Sequence, residues 1–280
     1  MLHVVTDTTA YLSPELLAQW NIHTVPLKIV FDGQATDEDQ INNGEFYTRL
    51  AQATRLPTTS QPSPGEFIAL YNRLLVNPED EILAIHLSAG LSGTYQTALN
   101  AAQVVAPERI TVIDSRAATC ALGLIVLQAA QLAAKGASRP EVVAHVERVI
   151  ERYTGIFAVE NLEYLLKGGR LNGAAKFLGS VLTVKPILYL NKGKIDGLAL
   201  ARTRKKAMQT LIEETAQRHG DVALHAVITH THAPEAAEEL RQLALQQLRC
   251  QEIHIVETGP VIGAHLGPGM FGIAACPVEL

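Results

Sequence analysis

The chain has 280 residues, of which 48% are hydrophobic and 18% charged, a composition that belongs to a folded globular protein and excludes a disordered one. A formal net charge of -5 speaks against a broad polyanion-binding surface, because phosphate backbones are gripped by clustered Lys and Arg, so no nucleic-acid partner is expected. The length suffices for one large or two modest domains, each with its own core.

From the N-terminus the chain enters an alternating strand directly, with no basic, apolar or cleavage segment of a secretion signal ahead of it, and a cytoplasmic location is the expectation. Strands are predicted at 2–6, 24–31, 81–87 and 109–113, and helices at 13–20, 45–53, 65–75, 93–105 and 117–135. This alternation of β-rich and helix-period runs specifies a mainly parallel sheet flanked by helices. Ser13-Pro14, Ser63-Pro64 and Arg139-Pro140-Glu141 are helix starts, with proline where a missing N–H does no harm. The most apolar stretch, 117–134, is Ala-rich and interrupted by Gln128 and Gln131, which suits a buried helix and not a membrane span, so no integral membrane association is expected.

After a helix reaching about Tyr153, a strand is predicted at 155–159 and a short helix at 161–167, stopped by Gly168-Gly169. Extended runs at 186–190 and 195–200, joined by Asn191-Lys192-Gly193-Lys194, carry hairpin turn chemistry. A helix at 203–219, a strand at 223–229, a helix at 235–248 and a strand at 252–257 complete the second half. The fold class expected is α/β, as two α/β domains at 1–153 and 154–280. The basic run Arg202 to Lys206 opens a helix and reads as a solvated face. Cys120, Cys250 and Cys276 are odd in number and lack metal-ligand spacing, so reduced structural thiols are expected and no metal site.

Four loops carry the candidate chemistry. Leu87-Ser88-Ala89-Gly90-Leu91-Ser92-Gly93-Thr94-Tyr95 lies between a strand and a helix, where free backbone N–H groups and the helix dipole favour an anion. A serine there also serves as an ordinary helix cap, and this segment alone does not choose between the two uses. In Thr58-Thr59-Ser60-Gln61-Pro62-Ser63-Pro64, Ser63 is the cap, while Thr59 and Ser60 stand too early to cap and are free to face a ligand. Lys167-Gly168-Gly169-Arg170-Leu171 places Arg170, a fork of donors matched to carboxylate or phosphate, beside a glycine pair. The stretch from Gly259 to Gly269 gathers turn formers around His265, read as a loop histidine that donates to an acid, shuttles a proton or ties the loop together. His230 and His232 point to opposite faces of a strand and receive no role. Neither a Gly-x-x-x-x-Gly-Lys-Ser/Thr phosphate loop nor a Gly-x-Ser-x-Gly elbow is present.

Taken in order, Val5-Thr6-Asp7-Thr8-Thr9, Val25-Pro26-Leu27, Thr59-Ser60-Gln61-Pro62-Ser63, Leu91-Ser92-Gly93-Thr94-Tyr95-Gln96, Ile113-Asp114-Ser115, Lys167-Gly168-Gly169-Arg170 and Gly263-Ala264-His265-Leu266-Gly267-Pro268-Gly269 make the chain resemble the DegV family from end to end. The resemblance implies a protein that binds one long-chain fatty acid in a tunnel and needs no cofactor. It also implies a non-enzymatic role: the binding subunit of a fatty-acid kinase, which holds the acyl carboxylate for a separate ATP-using kinase subunit that makes acyl phosphate for phospholipid synthesis. Carried over by position, the carboxylate contacts are Thr59, Ser92, Arg170 and His265, with Ser60 in place of Thr59 if the loop register differs. The segments 117–134 and 177–184 are candidate tunnel walls. After Arg170 the sequence Leu171-Asn172-Gly173-Ala174 carries less hydroxyl and basic character than the family pattern leads one to expect. The competing expectation is a metal-assisted phosphoryl-transfer or hydrolytic enzyme built on Asp7 and Asp114, both at strand ends.

Overall fold

The computed structural model describes residues 1–177 and 184–280. Strands β1 (Leu2–Asp7), β2 (Ile22–Val25), β6 (Glu81–His86) and β7 (Ile110–Asp114) form a parallel sheet in the order β2-β1-β6-β7. Strands β3 (Lys28–Phe31), β4 (Gln34–Asp37) and β5 (Thr58–Ser60) form a small antiparallel sheet with β3 at its centre. The second half supplies β8 (Thr154–Ala158), β9 (Lys185–Asn191), β10 (Lys194–Ala201), β11 (Leu224–His230), β12 (Cys250–Glu257) and β13 (Phe271–Pro277), ordered β10-β9-β8-β13-β11-β12. Only β11 and β12 run parallel in that sheet.

The helices are α1 (Pro14–Gln19), α2 (Asn43–Gln52), α3 (Pro64–Leu74), α4 (Thr94–Val105), α5 (Thr119–Ala134), α6 (Arg139–Arg152), α7 (Glu163–Lys167), α8 (Arg204–His219), α9 (Pro234–Gln247) and α10 (Pro260–Leu266). Side chains of the parallel sheet alternate between two covered faces. Val4, Leu83 and Ile85 pack against α5 and α6, and Val5, Ile82 and Ala84 against Phe67 and Tyr71 of α3 and the alanines of α4. Helix α5 is buried along most of its length because it also meets the six-stranded sheet, through Ala274 and Cys276 of β13. No helix among the described residues is long and apolar enough to cross a membrane.

Two differences from the sequence reading reshape the site. The predicted strand 24–31 is two strands in two sheets, β2 and β3. Pro26 has no N–H to donate, which ends the ladder there, and the next N–H, of Leu27, turns to the Thr8 hydroxyl at 3.2 Å. The central strand β13 escapes the pattern because both its faces are covered: Phe271, Ile273 and Ala275 join the core under α8 and α9, while Ala274 and Cys276 join that of α5. An unbroken apolar run has no alternation to read.

Candidate functional site

A cavity lies where α5, the face of the six-stranded sheet, α10 and the small sheet meet. It encloses about 1020 Å³ of unoccupied space, part of it open to solvent. Apolar residues among its lining are Ala118 just before α5 and Ala121 within it, Ile156 and Phe157 of β8, and Ile273 and Ala274 of β13. Thr59, Ser60, Ser92, Arg170 and His265, which come from four separate stretches of sequence, all line this same cavity.

Each is placed by local structure. The stretch around Thr59 is not a loop but strand β5, whose pairing with β3 sets Thr59 opposite Ile29 and Ser60 opposite Lys28. Its neighbour Ser63 closes a capping box with Glu66 at the start of α3, leaving Thr59 and Ser60 outside the cap as the sequence suggests. The Thr59 hydroxyl lies 2.8 Å from His265 Nε2, whereas the Ser60 hydroxyl donates to the Gln61 carbonyl at 3.1 Å and is exposed.

Ser92 precedes the helix cap instead of being it. Gly93 is the N-cap of α4 and has no side chain to offer; the Ser92 hydroxyl accepts from Thr94 N at 3.3 Å and pairs with the Thr94 hydroxyl at 2.9 Å. Glycine at 93 is a packing requirement, because a Cβ there would strike the Gln61 side chain. Gln61 in turn donates to Thr97 of α4 at 2.6 Å, so it fastens β5 to the helix that follows Ser92. Gln61 stands in one of the motifs that carry the family resemblance, but local sequence gives it no role, since its amide acts here through a group 36 residues away. Ser88 serves the loop differently: it is buried, donates to the Gly193 carbonyl at 2.6 Å and accepts from Gly90 N at 3.1 Å. It thus ties the 88–93 segment to the β9–β10 turn. That turn has Lys192 and Gly193 at φ 47° and 82°, the two left-handed residues of a type I′ hairpin.

Arg170 donates Nε to the Leu91 carbonyl at 3.1 Å and Nη1 to the Gly168 carbonyl at 2.7 Å. These bonds fix the guanidinium plane between the α7 end and the Ser92 loop. His265 is not on a loop: residues 260–266 form helix α10, and the imidazole lies against Gly168, where any Cβ would collide with its Nδ1. Burial, with the Arg170 cation adding to it, lowers the imidazole to about 4, so His265 is neutral at pH 7 and the positive charge of the site resides on Arg170. A neutral hydrogen-bonding ring, a guanidinium and two hydroxyls lining one largely apolar cavity are groups that can pair with an anion carrying a hydrocarbon body.

Asp7 and Asp114 do not meet, because β6 stands between their strands. Asp7 is fully buried and accepts from Leu87 N at 2.9 Å, His86 Nδ1 at 3.1 Å, Thr9 N at 3.2 Å and the Thr9 hydroxyl at 2.5 Å. Asp114 accepts from Ala89 N at 3.1 Å and Arg116 N at 2.9 Å. Asp7 braces the segments that follow β1 and β6, and Asp114 those that follow β6 and β7. No group of three or more His, Cys, Asp or Glu among the described residues is placed to hold a metal ion. The three cysteines are free thiols. Cys120 lines the cavity, and burial pushes its thiol up to about 11. Of the two expected walls, the start of the 117–134 segment lines the cavity, while residues 178–183 of the other lie outside the described residues.

Comparisons with known proteins place the whole chain in one family. The family model described as "Uncharacterised protein, DegV family" matches residues 1–278. A DegV family protein of Thermus thermophilus, described as fatty acid binding, is 35% identical with a TM-score of 0.94, and the match covers 99% of both chains. DegV of Bacillus subtilis, described as a fatty acid binding protein, is 35% identical with a TM-score of 0.88 over 99% of both chains. A DegV family protein of Ruminococcus gnavus, described with vaccenic acid, is 28% identical with a TM-score of 0.86 over 98% of this chain and 99% of that one. The chain described here belongs to the DegV family.

Proposed function

We propose that this chain binds one long-chain fatty acid, with the carboxylate held by Thr59, Ser92, Arg170 and His265 and the acyl chain in the apolar cavity. The observation that carries the reading is that those four side chains, from separate stretches of sequence, all line that one cavity. Each buried methylene contributes roughly 0.8 kcal/mol, so an acyl chain of about sixteen carbons outweighs the ordering and desolvation costs of binding. Arg170 supplies the countercharge, and Ser60 stands at the rim.

Exposure differs among the lining residues. Ser60 and Gly93 are solvent-exposed, while Ile156, Ile273 and Ala274 are buried. A carboxylate held beside the exposed residues is open to chemistry by another protein. In this reading the chain is a cytoplasmic binding subunit that presents the carboxylate to an ATP-dependent kinase subunit, which forms acyl phosphate for phospholipid synthesis. The absence of a phosphate-loop motif in the sequence is in keeping with ATP binding by the partner. Mass spectrometry of lipid extracted from the protein purified from a bacterial host should show about one free fatty acid per chain, lost or reduced in the Arg170→Ala/Ser92→Ala variant. If the wild type carries no lipid and takes up no added fatty acid, the reading is wrong. Acyl phosphate made by the chain alone with ATP and Mg²⁺ would refute the division of labour.

A further inference from the structure

Helix α10 has no cap of its own. Its N-cap is Gly259, without a side chain, and Pro260 has no N–H, yet the N–H groups of Val261 and Ile262 still need acceptors. They find them across the molecule. Val261 N donates to Glu38 Oε1 at 2.8 Å, and Ile262 N donates to the Tyr11 hydroxyl at 3.2 Å. That hydroxyl donates to Glu38 Oε1 at 2.9 Å, and the Thr8 hydroxyl donates to Glu38 Oε2 at 2.5 Å. Glu38 is only 4% exposed, and Gly259 is glycine because a Cβ would strike both Tyr11 and Glu38. The carboxylate therefore receives only donors, which is the environment of an ionised group, and its negative charge lies at the positive end of the helix that carries His265.

From this we infer that Glu38 is a positioning residue for the carboxylate site: in its ionised form it holds α10, and with it His265, against Thr59, and proton uptake loosens that hold and weakens ligand binding. The inference rests on the fatty-acid reading above. Charged or titratable groups that face Glu38 are Asp7, Tyr11 and Tyr47. The two phenols are pushed well above their usual range, first by burial, so neither ionises near neutral pH. Burial raises Glu38 itself to about 7, against the opposing pull of its donors Thr8, Val261 and Tyr11.

Delipidated protein titrated with hexadecanesulfonate between pH 6 and pH 8.5 tests this, because the probe stays charged throughout and His265 stays neutral. The wild type should bind several-fold more weakly at pH 6 than at pH 8, whereas Glu38→Gln should bind at the weak level with a flat profile. The melting temperature of Glu38→Gln relative to wild type should rise as pH increases through 7. The raised group contributes stability that is present below about pH 4.5 and lost as pH rises through its folded value, and glutamine has no such loss. A wild-type profile that is flat, or a variant whose slope matches the wild type, overturns the inference while leaving the fatty-acid reading intact. No binding of hexadecanoate by the wild type at pH 8 overturns both.

Discussion

Ser88 and Ser92 stand four residues apart in one loop, and their chemistry differs because of what surrounds them. Ser88 is held between the Gly193 carbonyl and Gly90 N, so Ser88→Ala leaves the buried Gly193 carbonyl without this donor and should cost about 1–3 kcal/mol in chemical denaturation. Ser92 is half-buried at the cavity with a local partner in Thr94, so Ser92→Ala should cost well under 1 kcal/mol of stability and show its effect in ligand affinity. Arg170→Lys is the sharper probe of the anion. A lysine keeps the charge but cannot reach both the Leu91 and Gly168 carbonyls as a planar fork, and fatty-acid affinity should fall about tenfold while the melting temperature changes little. Local sequence singles out Thr59, Ser92, Arg170 and His265, all of which line the cavity, since hydroxyls and cations at loop and helix junctions are local signals. It does not single out Gln61 and Glu38, whose partners Thr97 and Val261 lie 36 and 223 residues away.

At the scale of elements, caps and turns were the most readable features, because they are decided within a few residues. Ser63 and Glu66 form their capping box, and Ser63→Ala should destabilise the protein by about 0.5–2 kcal/mol without altering ligand affinity, since the serine faces solvent at the far side of the cap. Helix α10 was unreadable because its first turn is satisfied by Glu38 and Tyr11 and not by its own residues, so glycine and proline there look like a loop. Its close approach to α2 depends on Gly263, where a Cβ would strike the Tyr47 hydroxyl. That hydroxyl donates to the Thr258 carbonyl at 2.7 Å. Gly263→Ala should therefore push α10 outward and weaken fatty-acid binding at least several-fold, more than its loss in denaturation stability would suggest. Strand β13 was hidden for the opposite reason: its residues are apolar throughout because sheet and helices cover both faces.

Across the whole molecule, burial holds the imidazoles of His3, His23, His145, His219, His230 and His265 below the usual histidine range. A depressed histidine binds fewer protons folded than unfolded, so its neutral form contributes stability above about pH 6.5 that is lost as pH falls toward the folded value. The ligand-free protein should lose melting temperature steadily from about pH 6.5 toward pH 4. Part of that loss should vanish in His265→Asn and also when fatty acid is bound, because a carboxylate beside His265 offsets the Arg170 cation. The cavity itself belongs to this scale, since its walls come from both halves of the chain and no stretch of sequence contains it. A parallel sheet could be read from the alternation of strands and helices, but the placement of α5 between two sheets could not, although its all-round apolar composition required cover on every side.

The most direct test of carboxylate recognition is a side-by-side titration of delipidated protein with hexadecanoate and hexadecanol at pH 8. Charge-assisted hydrogen bonds in a partly buried site are worth about 1.5–3 kcal/mol, so the acid should bind roughly 10- to 100-fold more tightly than the alcohol, and Arg170→Ala should remove most of that difference. Equal affinity for acid and alcohol in the wild type would contradict the account, leaving the cavity a hydrocarbon binder with no anion site at its mouth.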